Sequence, residues 1–244
     1  PGACKLLAFW FCCMVQSSRR PGVGGPAFIR LLTRLTDADV PESGQLLSDH
    51  LSQWLGWTDG LALAAALNSK PVPGEARLDR VQERDLVLLR TGLSNAIARD
   101  IKQRGPSPFQ AKDAPAEDDY KTYRQLYLAL QQTMETRIGN LRTRLRATLA
   151  ASTPALTQLA VMDAIMERGL LPRERSLLAT VPGLLEKHFH RLREAEEAAL
   201  AEQPDARRGG WLESFRKDMQ SVLLAELEVR LQPVEGLLAA LRAR

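Results

Sequence analysis

Between Glu117 and Ala150, apolar residues recur as Tyr120, Tyr123, Tyr127, Leu130, Met134, Ile138, Leu141, Leu145 and Leu149. The steps average about 3.6 residues, the period of a straight α-helix, where a sustained coiled-coil seam would keep 3.5. At a rise of about 1.5 Å per residue such a helix spans roughly 50 Å. The pattern therefore predicts a central spine, about 117–150, buried along one stripe by other helices.

The rest of the composition agrees with that architecture. Leucine outnumbers valine and isoleucine together by more than two to one, and aromatic residues are only 5%. Straight-chain and small side chains lose little rotamer freedom in a helix, whereas strands recruit the β-branched and aromatic residues that are scarce here. The expected fold is all-α, a multi-helix bundle, and 244 residues suffice for one large core or two small ones. The charge balance is 33 basic against 29 acidic residues, net +4, with both signs mixed along almost every segment. That describes a solvated surface before it describes a dedicated nucleic-acid binder, which concentrates its cations on one face or arm.

Cys4, Cys12 and Cys13 are the only cysteines and lie beside Phe9, Trp10 and Phe11. Residues 1–13 are expected to be upstream translation ahead of a start at Met14, or a disordered tail. A signal peptide or an anchor are the rival readings, since Leu6 to Val15 is uninterruptedly apolar behind Lys5. That run is too short to cross a bilayer, which takes about 20 residues, and no A-x-A cleavage pattern follows it. No integral membrane span is expected. On the Met14 reading the remaining chain has no cysteine, so disulfides, thiolate catalysis and cysteine metal sites drop out together.

From Met14, helical segments alternate with proline and glycine punctuation. Phe28, Ile29, Leu32 and Leu35 predict a first short helix, and Leu47, Leu51, Trp54 and Leu55 a second behind Pro41 that ends at Gly56. Thr58 or Asp59 can cap a third, Leu61 to Leu67, closed by Asn68 and the Pro71 to Gly74 turn. Leu86, Leu89, Leu93, Ile97 and Ile101 predict a longer fourth helix, ending near Gly105. The domain reading is an N-terminal helical region over 14–105, a proline-rich linker over 106–116, and a C-terminal bundle over 117–244, with one continuous core or two left open. Beyond the spine, Ser152 or Thr153 can cap a helix that carries Leu156, Leu159, Met162 and Met166 and ends at Gly169. Leu185, Phe189, Leu192 and Ala199 predict another, from Pro182 to Pro204. Leu212 to Leu223, then Leu237, Leu238 and Leu241 beyond Pro233, predict a final hairpin.

Chemistry is thinly represented. His188 and His190 are two apart on one helix and point about 200° from each other, so they cannot share a metal and read as a solvated pair. His50 and Asp49 are neighbours that do not face each other. Glu117, Asp118 and Asp119 suit a helix amino terminus, and Glu194, Glu196 and Glu197 read as a solvated face without the Glu and His partners of a helical di-metal site. Gly22, Gly24 and Gly25 lack the strand, Lys and Ser or Thr of a phosphate loop, and no GxSxG elbow occurs. No catalytic residue, metal or cofactor is expected.

Two features remain as partner-binding candidates. Arg137, Arg142, Arg144 and Arg146 crowd the second half of the spine, either as an outer solvated face or as a surface for an acidic partner or nucleic-acid backbone. Arg207 and Arg208 are a lesser candidate of the same kind. Trp57 either closes a helical turn over a buried Trp54 or serves as an exposed interface anchor.

The segments GPAFIRLLTRL from Gly25, the QWLGWTDGLAL centre of Val40 to Leu67, and the ending WLESFRKDMQSVLLAELEVRLQPVEGLLAAL together resemble an uncharacterised family of bacterial helical proteins, found chiefly in proteobacteria and classed as a domain of unknown function. The resemblance covers nearly everything after Met14 and brings no catalytic residues. It implies an accessory role in an envelope-associated assembly, because family members neighbour genes for membrane motor-like and peptidoglycan-binding proteins. The functional expectation is a non-enzymatic, cytoplasmic helical scaffold or adaptor that binds another protein. The alternative is a nucleic-acid-associated protein using the Arg137 to Arg146 face.

Overall fold

The computed structural model describes residues 27–36, 47–69, 83–104, 116–202 and 209–243. Among them eight helices run in chain order: α1 (Ala27–Thr36), α2 (Leu47–Trp54), α3 (Trp57–Asn68), α4 (Glu83–Arg104), α5 (Ala116–Ala150), α6 (Pro154–Leu178), α7 (Val181–Glu202) and α8 (Gly210–Arg242). The fold is all-α, with no strand among the described residues. Residues 1–13 with their cysteines, the glycine leader, Pro41, the Pro71 to Gly74 turn, the expected linker as far as Pro115, and Arg207 and Arg208 lie outside the described residues. So do the side chains of His50, Glu117, Asp118 and Asp119.

The spine is α5. All nine residues of its apolar stripe are buried, none more than 6% exposed. They meet α4, α6, α7 and α8. Leu86, Leu89, Leu93, Ile97 and Ile101 of α4 join the same continuous core, so residues on both sides of the 106–116 segment share one apolar interior. A cluster of Tyr120, Tyr123, Phe189, Trp211 and Phe215 fills one end of it, with Phe189 set edge-on to Trp211 at 4.8 Å and to Phe215 at 5.0 Å between ring centroids.

The sequence reading breaks two helices too early. The expected hairpin around Pro233 is one continuous 33-residue helix, α8. Proline there removes the donor to the Val229 carbonyl, at a cost of about 3 kcal/mol against alanine. Leu231, Val234 and Leu237 around it are fully buried, and that apolar burial outweighs the local penalty. Likewise α6 does not stop at Gly169 but runs through Gly169 and Pro172 to Leu178.

Gly169 marks a close approach. A Cβ there would stand 2.8 Å from Leu55 Cδ2 and 3.2 Å from Asp59 Oδ2, so the missing side chain lets the α2–α3 corner settle on α6. Below it, Ala66 of α3 packs with Met162 and Ile165 as a small satellite core, and Gln158 of α6 donates to the Ala66 carbonyl at 2.9 Å. Gly169→Leu is expected to lift this corner at a cost of about 1–3 kcal/mol, seen as a changed tryptophan emission from Trp54 and Trp57 while far-UV helicity is retained.

Helix ends are capped as their chemistry requires. The Thr153 hydroxyl accepts from the Leu156 amide at 3.3 Å, with Pro154 in the first turn of α6. In place of Thr58 or Asp59, Gly56 occupies the cap position of α3, whose helix begins at Trp57. The Glu196 carboxylate, expected in a solvated acidic cluster, accepts from the Gly209 and Trp211 amides at 3.0 and 3.3 Å and so closes the start of α8 from the neighbouring helix.

Candidate functional site

The four spine arginines do not form one outer face. Arg142 and Arg146 turn inward to α6, where Arg142 grips Asp163 with two bonds of 2.9 and 2.6 Å and Arg146 reaches the same carboxylate at 3.1 Å and pairs with Glu167. Asp163 is only 1% exposed. Arg137 and Arg144 instead point toward α4. Arg137 lies against Gly92, where a Cβ would meet its Nη2 at 3.2 Å, and Arg144 stands 3.9 Å from Asp85. The split follows from helical geometry, since 137 and 144 are two turns apart on one stripe, 142 and 146 one turn apart on another.

A second buried polar array lies between α5, α6 and α8. Glu226, completely buried, accepts from Tyr127 Oη at 2.6 Å, Gln131 Nε2 at 2.9 Å and Arg230 Nε at 2.9 Å. Arg230 in turn donates to Glu174 at 3.0 Å. Burial, then the neighbouring Glu226 charge, push the Tyr127 hydroxyl far up, so it stays a donor. Burial alone would lower the Arg142 pKa, but its bonds to Asp163 and that residue's charge hold it above the ordinary range. Burial also raises the Glu174 carboxyl, against the opposing charge of Arg230, whereas the hydrogen bonds from Arg175 pull Glu135 down.

Above these two arrays, α5, α6 and α8 part to leave a half-open cleft of about 520 Å³, with Trp54 of α2 at its edge. Ile138, Leu170, Leu171, Leu177, Val229 and Pro233 supply its apolar surface, and Glu135, Arg142, Glu167, Arg173, Glu174 and Arg230 its charges. Each of its three long walls carries a residue that helices disfavour. Gly139 lies within α5, Pro172 sits in α6 between the lining residues Leu171 and Arg173, and Pro233 is in α8. No atom of the protein lies within 4 Å of where a Gly139 Cβ would be, so crowding does not explain that glycine. Its effect is to widen the cleft.

Trp57, the other candidate, is 84% exposed at the first position of α3, and Leu61 one turn on is 56% exposed. Trp54 is the half-buried member of the pair, under the Arg173 guanidinium at 6.0 Å. The histidine reading is corrected at His188, which is 5% exposed and not solvated. Its Nδ1 faces the Arg191 guanidinium at 3.1 Å and its Nε2 faces Asp218 at 2.8 Å. Arginine can only donate, so the ring proton resides on Nε2. This triad ties α7 to α8, and through the Arg191 bond to the Leu35 carbonyl it also ties α1. Among the described residues no three His, Cys, Asp or Glu side chains gather as metal ligands, and no helix is long and apolar enough to cross a membrane.

The sequence reading missed the cleft. Leu171 and Arg173 carry no motif, Gly139 falls inside the predicted spine, and Pro233 reads as a helix break. A family described as "Protein of unknown function (DUF3348)" matches residues 14–243. No curated protein and no solved structure is significantly similar to the chain.

Proposed function

Because the chain belongs to the DUF3348 family, which has no assigned function, we propose its role from the cleft itself: a non-enzymatic, cytoplasmic helical adaptor that binds a segment of another protein between α5, α6 and α8. The partner we propose is a component of a cell-envelope assembly, the setting that the sequence resemblance implies. The observation that carries the adaptor reading is that Gly139 of α5 and Pro233 of α8 both line one opening. Glycine costs a helix about 1 kcal/mol and proline about 3. Departures from local helix preference on the walls of a largely apolar groove are what a binding site there would be expected to show. The groove also suits helix-in-groove recognition, since Leu170, Arg173, Glu174 and Leu177 form a single stripe of α6 at spacings of three and four residues.

Gly139→Ala is expected to raise stability by about 0.5–1 kcal/mol, because the new methyl meets open space and alanine is the better helix former. The function test uses Gly139→Leu, which fills the groove. Full-length tagged chain would be crosslinked in a bacterial host and recovered with and without nuclease. The expected result is a near-stoichiometric, nuclease-resistant protein partner with wild type, reduced at least tenfold by Gly139→Leu at unchanged or higher Tm. Partner retention by Gly139→Leu, or recovery of nucleic acid with protein lost on digestion, would overturn the cleft adaptor. Trp57→Ala separates a second contact from the fold: with a side chain this exposed, its stability effect is expected to stay within about 0.5 kcal/mol, so lost partner would mark an anchor outside the cleft.

A further inference from the structure

We propose that the segment received by the cleft carries an acidic side chain next to its apolar ones, and that Arg173, which lies over Trp54, is the group that binds it. The inference rests on the adaptor reading and goes further by naming the partner's chemistry. Arg142 is held by Asp163, and Arg230 by Glu226 and Glu174. The lining carboxylates are likewise engaged: Glu167 by Arg146, Glu174 by Arg230 and Glu135 by Arg175. Arg173 meets no carboxylate among the described residues; its one recorded contact is the Trp54 ring, 6.0 Å from the guanidinium carbon.

Every other charged side chain of the lining already makes an ion pair, so Arg173 is the lining arginine whose donors meet no carboxylate among the described residues. A guanidinium that meets no carboxylate keeps its donors for a ligand, and those donors match a carboxylate with two parallel bonds. Holding the side chain against an aromatic ring also reduces the conformational freedom it loses on binding. The groove is half-open and runs along helices, so a protein segment fits it better than a small ligand, which an enclosed cavity would bury almost completely. An apolar stretch with one Asp or Glu satisfies both the walls and the free cation, whereas a basic segment would face Arg173 directly.

The test is selection of a random peptide library displayed on phage against the full chain, run in parallel on wild type, Gly139→Leu and Arg173→Glu. The expected outcome is a wild-type consensus of spaced apolar residues with one acidic position. Those peptides should bind Gly139→Leu and Arg173→Glu at least tenfold more weakly, and the Arg173→Glu target should enrich a basic residue at that position. Peptides that lose binding to Gly139→Leu but carry no acidic position, or bind Arg173→Glu equally, would overturn the assignment to Arg173 and leave the cleft reading standing. Peptides indifferent to Gly139→Leu, or no enrichment on any target, would overturn both. Displacement of bound peptide by free glutamate would replace the protein segment with a small carboxylate and overturn the partner assignment.

Discussion

Glu226→Ala is expected to lower stability by about 3–5 kcal/mol, the largest effect of any polar substitution in this fold. The carboxylate is fully buried and receives the Tyr127 hydroxyl, the Gln131 amide and the Arg230 guanidinium. Removing it strands all three donors and leaves a buried cation leaning on the partly exposed Glu174 alone. Glu226→Gln, which keeps the shape but not the charge, should lose less. The pair replacement Glu226→Leu with Arg230→Met should lose least, because a buried ion pair exchanged for apolar side chains is often neutral or favourable. Urea unfolding followed by circular dichroism gives the order. A double variant as unstable as Glu226→Ala would mean that the stranded Tyr127 and Gln131 donors, not the unpaired charge, dominate.

Phe189→Ala is expected to cost a similar amount, about 3–5 kcal/mol, for an apolar reason. The ring is fully buried in α7 and sits edge-on to Trp211 and Phe215 and within ring-contact distance of Tyr120 and Tyr123. Its loss leaves a cavity that the helices on three sides cannot close together. Because Trp211 is one of the cavity walls, its emission should shift before global unfolding. A contrasting substitution at Leu88, 59% exposed on α4, should stay within about 0.5 kcal/mol.

These two positions illustrate how far the sequence could be read. Phe189 belongs to a 3.6-residue apolar stripe whose first half is buried while Ala199 at its far end is exposed, and the nine-residue stripe of α5 and the five-residue stripe of α4 are buried as their spacing implies. Glu226 is indistinguishable in sequence from the solvated glutamates around it. Whether a charged residue faces water or an ion pair depends on which helix lies opposite, and that is set by packing between segments far apart in the chain. The same dependence divided the spine arginines: spacing places Arg142 and Arg146 on one stripe, but only the arrival of α6 with Asp163 determines that this stripe is interior. Gly169 and Pro233 read in the opposite direction, because local preference ends helices there that long-range burial carries through. Trp57 remained ambiguous for the same reason.

The placement of α8 bears on how the molecule is made. This helix touches α1, α4, α5 and α7, yet it is the last of the eight to be synthesised. At elongation rates of about 5–20 residues per second, the earlier helices wait seconds with their apolar stripes uncovered before the strip that seals them emerges from the ribosome. The bundle therefore cannot close until α8 has emerged, and a chain stalled or shortened ahead of α8 presents chaperones and proteases with an open trough in place of a smaller folded protein.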